Sequence, residues 1–158
     1  MRRFVLLFGA VVLMLGQAVS QDPVKPGKEH EFFKELEGDW DFSADGGIQG
    51  KSTYKMVHGG LWLESKIEMM MPSGKFTGQG LDGYDPVKKK YVAIWVDSMS
   101  AAPVVLEGDM DSATKTITML GKGPNETGQI VDYKMVTHYK DKDTHHFKMW
   151  MGKLTGDP

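Results

Sequence analysis

Cysteine is absent from this chain of 158 residues. Disulfide bonds, cysteine-ligated zinc and iron–sulfur clusters are therefore excluded, and stability must come from a buried core. Common catalytic signatures are missing as well, since there is no Gly-x-Ser-x-Gly elbow, no phosphate-binding loop and no Gly-x-Gly-x-x-Gly motif. The sequence favours a protein without catalytic activity, although it does not decide the point.

An excess of basic charge is also missing. The 19 lysines and arginines are outnumbered by 21 acidic residues, and removal of a leader containing Arg2 and Arg3 makes the balance more acidic. Nucleic acids and anionic membrane surfaces attract clustered positive charge. We therefore expect no nucleic acid among the partners.

The first twenty residues have the pattern of a secretory signal. Arg2 and Arg3 precede an apolar stretch, and the small residues Ala18 and Ser20 follow it. The alternative, an uncleaved anchor, is disfavoured because the stretch is shorter than the ~20 residues that cross a bilayer. We expect a signal peptide over 1–20, cleaved after Ser20, and no stable membrane insertion afterwards.

Cleavage would leave an exported protein in the periplasm or outside the cell. Residues 21–27 contain Pro23 and Pro26 among polar residues and predict a flexible leader. The remaining residues, 28–158, fit a single domain.

A short amphipathic helix is predicted at the start of the domain. Phe32, Phe33 and Leu36 recur at helical spacing between Lys28 and Glu37, and Gly38 supplies a stop signal. We expect this helix to bury its apolar side chains against one end of a sheet.

From Gly38 onward the apolar period changes to two, which indicates strands. Nine strands are predicted, near 39–43, 51–57, 61–71, 76–84, 91–98, 104–110, 116–120, 130–139 and 145–151. A long loop is expected over 121–128, which is rich in glycine, proline and asparagine. Turn signals recur about every ten residues, which favours an all-β, antiparallel up-and-down meander. Periodicity alone leaves a barrel and a sandwich open.

Residues 78–99 carry the densest strand signals. Two strands flank a turn that begins at Asp85 and Pro86, and the segment from Tyr91 to Val96 is apolar or aromatic on both faces. This composition predicts a strand in the middle of the sheet.

Several separated motifs resemble one bacterial protein family. They are Leu36–Trp40, Gly59–Glu64, Gly80–Asp85, Lys89–Met99, Glu107-Gly108, Thr116–Met119 and Asp143–Phe147. In this order they resemble the domain-of-unknown-function family 1579. The family is grouped with calycin-like β-barrels, so the resemblance implies a lipocalin/calycin-like barrel of about nine strands and no known activity.

One departure from that family concerns the end of the chain. Members usually continue into a final strand that closes the sheet, whereas this chain stops at residues 154–158. Either the barrel keeps an open edge or the sequence is a truncated gene product. An open edge could pair with a second copy, so a homodimer is one expectation.

Methionine is abundant and falls on one predicted face. The alternation turns eight methionines inward: Met56, Met69, Met71, Met110, Met119, Met135, Met149 and Met151. Such an interior suits an apolar ligand of variable shape, although the same residues could fill a solid core. Candidate cavity residues are Trp40, Phe42, Met56, Leu63, Met69, Tyr84, Trp95, Asp97, Met135, His145, Phe147 and Met149.

Two carboxylates lie on the central hairpin. If Asp82 and Asp97 share a face with Tyr84, Tyr91 and Trp95, they form a polar spot among aromatic rings. Otherwise each caps a turn or a strand end.

His145 alone among the histidines is predicted to point inward from a strand. A single inward histidine on a late strand is similar to the nitrobindin-like calycins, which implies haem as an alternative ligand. Gly38–Phe42 keeps only the first half of their Gly-x-Trp-x-Gly-x-Gly motif. His138, His145 and His146 lack zinc spacing, so we otherwise expect no metal and no cofactor.

Two functions of different classes follow. The first is non-enzymatic binding of a small apolar or amphipathic ligand in the barrel interior. The second is a solid-core interaction module that meets a partner through an open edge or through exposed Trp62 and Trp150.

Overall fold

The computed structural model describes residues 22–153. The predicted signal peptide at 1–20, Gln21 and residues 154–158 lie outside the described residues. Residues 22–27 have no regular secondary structure. Within the described range, none of the helices has the length and apolar character needed to cross a membrane.

Within residues 22–153, nine antiparallel strands form one sheet in which each strand pairs with the next along the chain. They are β1 (Gly38–Ala44), β2 (Ile48–Val57), β3 (Trp62–Met71), β4 (Gly74–Asp85), β5 (Lys90–Asp97), β6 (Val104–Asp111), β7 (Thr116–Pro124), β8 (Ile130–Asp141) and β9 (Thr144–Met151). The sheet curls into a half-barrel, with β1 and β9 as its edges. The predicted all-β meander of nine strands is confirmed, and the segment predicted to be central is β5.

The register places one set of alternating residues on the concave side of the curled sheet. Directly opposed residues share a face, and one such row runs Tyr54, Ser65, Gly80, Trp95, Val104 from β2 to β6. We call this concave side the bowl. Because the strands curl around it, the bowl contains the apolar core.

The N-terminal helix is shorter than predicted. A 3-10 turn at Lys28–His30 leads into α1, Glu31–Glu35, instead of one helix over 28–37. Its apolar side chains are nevertheless buried as expected, since the ring of Phe32 lies 5.4 Å from both Tyr91 and Tyr139. The helix therefore covers one end of the bowl, which we call the helix end.

Two buried clusters make up the core. The larger one joins β5, β6, β7 and β8 and consists of Ala93, Val104, Leu106, Ile117, Met119 and Tyr133. The smaller one packs Phe33 and Leu36 of the helix segment on Leu63 of β3. Each buried apolar side chain of this size contributes about 1.5–3 kcal/mol by leaving water, so the helix segment is held mainly by Phe33 and Leu36.

The loop predicted at 121–128 is wrong in its first half. β7 continues to Pro124, and the loop is confined to Asn125–Gln129, where the Asn125 side chain accepts hydrogen bonds from the Thr127 and Gln129 amides. Gly121 lies in the strand because β6 approaches it closely: a Cβ there would meet the Val105 carbonyl carbon at 2.9 Å. Because glycine is also common in loops, such a strand resembles a loop in its amino-acid composition.

The two edges approach each other through side chains. β1 and β9 share no backbone pairing, yet the rings of Trp40 in β1 and His145 in β9 lie 4.8 Å apart. This contact is near the helix end, where the Trp40 indole N–H also donates to the Leu36 carbonyl at 2.9 Å. Side-chain packing thus closes the gap between β1 and β9 at the helix end. Homodimerisation through the edges stays a prediction.

Two further 3-10 turns, Asp45–Gly47 and His58–Gly60, connect the first three strands. Gly46 and Gly59 have φ values of 78° and 72°, which residues with a side chain rarely adopt. These turns lie at opposite ends of β2 and reverse the chain without a longer loop.

Candidate functional site

The bowl is lined by the methionines that the alternation predicted to be inward. In three neighbouring strands Met119, Met135 and Met149 lie directly opposite one another. Their exposure differs: Met119 is 2% exposed, whereas Met149 and Met151 are each 50% exposed. The difference arises because β9 is an edge strand, so Met149 and Met151 have no paired strand on one side to cover them.

Positive charge is restricted to the convex side of the described strands. Lys51 pairs with Asp41, Lys90 with Asp109 and Lys122 with Asp132, all at convex positions. The concave positions in the nine described strands contain no lysine or arginine. A charge that enters the bowl therefore meets acidic groups and histidine, not basic groups.

Asp82 is a carboxylate on the concave face of the sheet, one concave position from Tyr84 at the helix end. It lies in β4, opposite Leu63 on one side and Ala93 on the other. Among the described residues it has no hydrogen-bond or ion-pair partner. Burial alone raises the pKa of Asp82 from 3.8 to about 7, because the charged form loses hydration. The residue still keeps some accessible surface, so it is not completely enclosed.

Two tyrosines lie close enough to Asp82 to respond to its charge. Burial, followed by the charge of Asp82, raises the pKa of Tyr54 in β2 and that of Tyr139 in β8 above the ordinary value of 10.0. Both phenols therefore stay neutral at physiological pH. The two strands lie on opposite sides of β4, so the rings approach Asp82 across the bowl.

His145 lies among aromatic rings on the β9 side of the bowl. Its ring centroid is 4.8 Å from that of Trp40, 6.0 Å from Tyr139 and 6.4 Å from Tyr54. Its Nδ1 atom is buried without a hydrogen-bond partner. Burial, with a smaller effect of His146, lowers the pKa of His145 below 6.5. The imidazole is thus neutral at pH 7.

Replacement of His145 by phenylalanine is expected to reduce the acid sensitivity of the fold. The unfolded chain binds a proton at pH values where folded His145 does not, so the wild type loses stability as pH falls below 6.5. Phenylalanine preserves packing on Trp40 and cannot be protonated. Urea unfolding across the acidic range measures the effect, and His146→Phe on the exposed face is the control. Equal acid sensitivity of His145→Phe and wild type would contradict this assignment.

Asp97 differs from Asp82 although the two share a face. Its Oδ2 accepts from the Trp95 indole N–H at 2.9 Å, and its Oδ1 accepts from the Met99 amide at 2.8 Å. Because it lies opposite Gly78, nearer the end of the bowl away from the helix, it does not join Asp82 in one polar spot. Asp97 therefore caps the end of β5, which was the alternative open from the sequence.

The Trp95 ring covers the glycines of β4. A Cβ on Gly78 would meet the ring at 2.5 Å or closer, and one on Gly80 would meet it at 3.3 Å. The ring can lie flat on the strand only because these side chains are missing. Towards the open end of the bowl, opposite the helix, the surface continues with half-buried Phe76 and Met69.

The other predicted cavity residues are distributed along the bowl. At the helix end, Tyr84 packs on His30 and Tyr91, and Met56 packs beside Leu63. Phe42 lies over Gly50 at the open end, and Phe147 of β9 is 54% exposed. The structure brings Trp40 and His145 together and leaves Phe42 apart from them. Tyr54 and Tyr139 were not among the predicted cavity residues. Both lie at concave positions, which the alternation of β2 and β8 also predicts.

Two expectations about exposed or inward rings need correction. Trp62 and Trp150 are half-buried, not exposed, because Trp62 lies over Gly83 and Trp150 has the Lys134 ammonium 5.3 Å from its ring. His145 is also not the only enclosed histidine. His30 is buried in the helix segment, where its Nδ1 accepts a hydrogen bond from the Gly27 amide at 3.1 Å.

Two open clefts flank the helix. One, of about 780 Å³, is lined by Glu35, Glu37, Asp39, Trp40, Asp41, Lys142 and Asp143. The other, of about 290 Å³, lies between the helix segment and the strand ends near Tyr91, Met110 and Tyr139. Across residues 22–153, no three His, Cys, Asp or Glu side chains are grouped closely enough to hold a metal ion.

Comparison with known proteins gives one relationship. The family described as Protein of unknown function (DUF1579) matches residues 25–157, which is nearly the whole chain. Neither a curated protein nor a solved structure matches. The chain therefore belongs to this family of unknown function, DUF1579.

Proposed function

We propose that this protein is an exported, non-enzymatic binding protein that holds a small apolar or amphipathic molecule in the bowl. The observation that carries the proposal is the composition of the concave face. Methionine and aromatic side chains line it, and it includes one buried carboxylate, Asp82, that has no partner among residues 22–153. Pockets for small molecules combine apolar walls with a few polar groups in this way.

The openness of the half-barrel supports the same proposal. The helix covers one end, whereas the described residues include no helix over the other, where Phe42, Met69 and Phe76 are half-buried. Methionine side chains adapt to ligands of different shape because their unbranched chains rotate readily. An apolar molecule that covered these side chains would remove them from water and gain about 25 cal/mol per Å².

The free sheet edges favour a second candidate function. Among the described strands, β1 and β9 each have one side without a backbone partner, and an open edge is a template for another strand. In this alternative the protein binds a partner protein or a second copy through an edge. Haem coordinated by His145 is a third candidate, for which the buried Nδ1 without a partner is the supporting observation.

Native mass spectrometry of protein purified from its own host tests these candidates together. A bound small molecule supports ligand binding in the bowl, and a dimer or a protein complex supports edge pairing. A mass increase equal to haem, with Soret absorbance that His145→Ala abolishes, supports the haem candidate. Monomeric protein that carries nothing and also fails to bind apolar probes would exclude binding in the bowl.

Replacement of Ala93 by phenylalanine is expected to weaken binding of the fluorescent apolar probe N-phenylnaphthylamine. Ala93 is 8% exposed on the concave face beside Asp82, so a large ring there fills the bowl. The affinity should fall by about tenfold or more, as expected when a side chain occupies the ligand's volume. Fluorescence titration measures the change.

Ile94→Phe is the matched control, because Ile94 is the next residue and is 40% exposed on the convex face. Circular dichroism verifies that both variants keep the sheet. If both variants bind the probe equally well, the ligand does not occupy the bowl.

A further inference from the structure

We propose that the ligand carries a protonated amine and that it enters the bowl with this group first, so that the amine pairs with Asp82 between Tyr54 and Tyr139. This inference rests on the proposed binding function and specifies the chemistry of the ligand. It follows from three observations: the lack of a partner for Asp82, the charges on the concave face and the order of side chains along β4.

The carboxylate of Asp82 requires a partner of opposite charge when it is ionised. An ionised carboxylate at this depth has lost hydration, and none of the described residues offers it a hydrogen bond or a cation. A ligand ammonium supplies both a positive charge and N–H donors at once. A ligand with a carboxylate or phosphate would instead bring a second negative charge beside it.

The remaining charged and titratable groups of the bowl are compatible with a cation. The concave positions of the described strands contain no lysine or arginine, so nothing on them repels an ammonium group at neutral pH. Neutral His145 adds no repulsion, because its pKa is lowered. Asp97 does not compete, since both of its oxygens accept hydrogen bonds from Trp95 and Met99.

The rings around Asp82 suit the same group. Tyr54 and Tyr139 are both close enough to feel the charge of Asp82, and their rings, like that of Trp40, pack around His145. Aromatic faces attract ammonium groups by about 0.5–2 kcal/mol each, and more strongly when water is excluded. A carboxylate between aromatic rings therefore selects an amine over a neutral polar group of the same size.

The order of residues along β4 gives the direction of the ligand. From the helix end to the open end, the concave positions of β4 are Tyr84, Asp82, Gly80, Gly78 and Phe76. The Trp95 ring covers the two glycines and makes an apolar surface that begins beside Asp82 and ends at the open end. An amine at Asp82 thus places an apolar tail along Trp95 towards Phe76.

Three ligands with the same tail test the inference: decylamine, decanol and decanoate, each below its micelle concentration. Isothermal titration of the mature chain at neutral pH measures their affinities. We expect decylamine to bind tighter than decanol by about tenfold or more, and decanoate to bind most weakly. Asp82→Asn should abolish the preference for decylamine while decanol binding persists.

The control variant is Asp132→Asn, the same substitution at a convex position of β8. It should bind all three ligands as the wild type does. Lowering the pH below 7 should also remove the preference of the wild type for decylamine, because Asp82 becomes protonated. Asp82→Asn should show no preference for decylamine at either pH.

The outcomes separate the two proposals. Equal affinity of the wild type for decylamine and decanol, or a preference for decanoate, overturns the amine inference and leaves ligand binding intact. A preference that survives in Asp82→Asn overturns the role of this residue. If none of the three ligands binds, the proposed binding function itself fails.

Discussion

Asp82→Asn is expected to be more stable than the wild type at about pH 8, by about 2–4 kcal/mol. The wild type must bury an ionised carboxylate that has no partner among the described residues, whereas asparagine is neutral at every pH. The shift of the pKa from 3.8 to about 7 corresponds to a cost of about 4 kcal/mol. Desolvation of the asparagine amide removes part of the gain.

The sign of the pH dependence follows from proton linkage. Because the pKa of Asp82 is higher in the folded state, the folded protein binds more protons than the unfolded chain between pH 3.8 and about 7. The contribution of Asp82 to stability therefore falls as pH rises through this window. Near pH 3.8 and below, Asp82 is protonated in both states and the advantage of the variant should vanish.

Chemical denaturation of wild type, Asp82→Asn and Asp132→Asn at several pH values measures this effect. The difference between wild type and Asp82→Asn should grow from about pH 4 to about pH 8, while Asp132→Asn stays within about 0.5 kcal/mol of the wild type. A constant difference would mean that folding does not raise the pKa of Asp82, and a variant less stable than the wild type at about pH 8 would mean that the carboxylate has a stabilising partner in the folded protein.

A residue that lowers stability in this way indicates binding rather than folding. Most side chains in the bowl stabilise the fold by burial, whereas ionised Asp82 lowers its stability. Sites prepared for a ligand often keep such costs, because the ligand supplies the missing interaction. The stability of Asp82→Asn and its expected loss of amine preference are therefore two measurements of one property.

Gly108→Ala is expected to destabilise the protein by about 3 kcal/mol or more. Gly108 of β6 lies opposite Met119 of β7. A Cβ at this position would meet the Thr118 carbonyl carbon at 2.8 Å and the Met119 Cα at 2.7 Å. These are backbone atoms of a paired strand, so the contact is relieved only by separating β6 from β7.

The size of the effect reflects the position of Gly108 in the larger core cluster. Leu106 and Met119, its neighbours on the concave side, are both buried. Displacement of either strand would open a cavity beside them and lose packing across four strands. Thermal and urea unfolding measure the loss, and near-ultraviolet circular dichroism reports whether the aromatic packing changes.

Gly27→Ala is a suitable control for this substitution. Its new Cβ would meet only the Glu29 side-chain carboxylate, at 2.9 Å, and that flexible group can move. The change in stability should stay within about 0.5 kcal/mol. Similar stability of the two variants would show that β6 and β7 tolerate a side chain between them.

Sequence patterns predicted the strands well where the alternation of apolar and polar residues within one segment decides which face each residue lies on. Alternation in β3 correctly separates buried Leu63 and Ser65 from the convex face. β7 shows the limit of such patterns. Gly121 and Gly123 resemble a loop because loops and closely approaching strands both require residues without side chains, and only the position of β6 distinguishes the two.

The same limit applies to the candidate site. Asp82 and Asp97 have similar sequence surroundings, and alternation places both on the concave face. Their difference depends on contacts distant in the chain, since the desolvation of Asp82 arises from several strands together, whereas Asp97 is held by Trp95 and Met99. The burial of a side chain depends on all such distant neighbours together. A sequence pattern therefore predicts which face of the sheet a residue lies on, but not how deeply it is buried.

The pairing of every strand with its sequence neighbour has a consequence for folding kinetics. Each hairpin forms between strands that are adjacent in the chain. The loops closed during folding are therefore short, and the loss of chain entropy at each step is small. We expect the sheet to grow hairpin by hairpin and faster than a sandwich of equal length. The contact between Trp40 and His145 joins the first and last strands, so it should form last and open first.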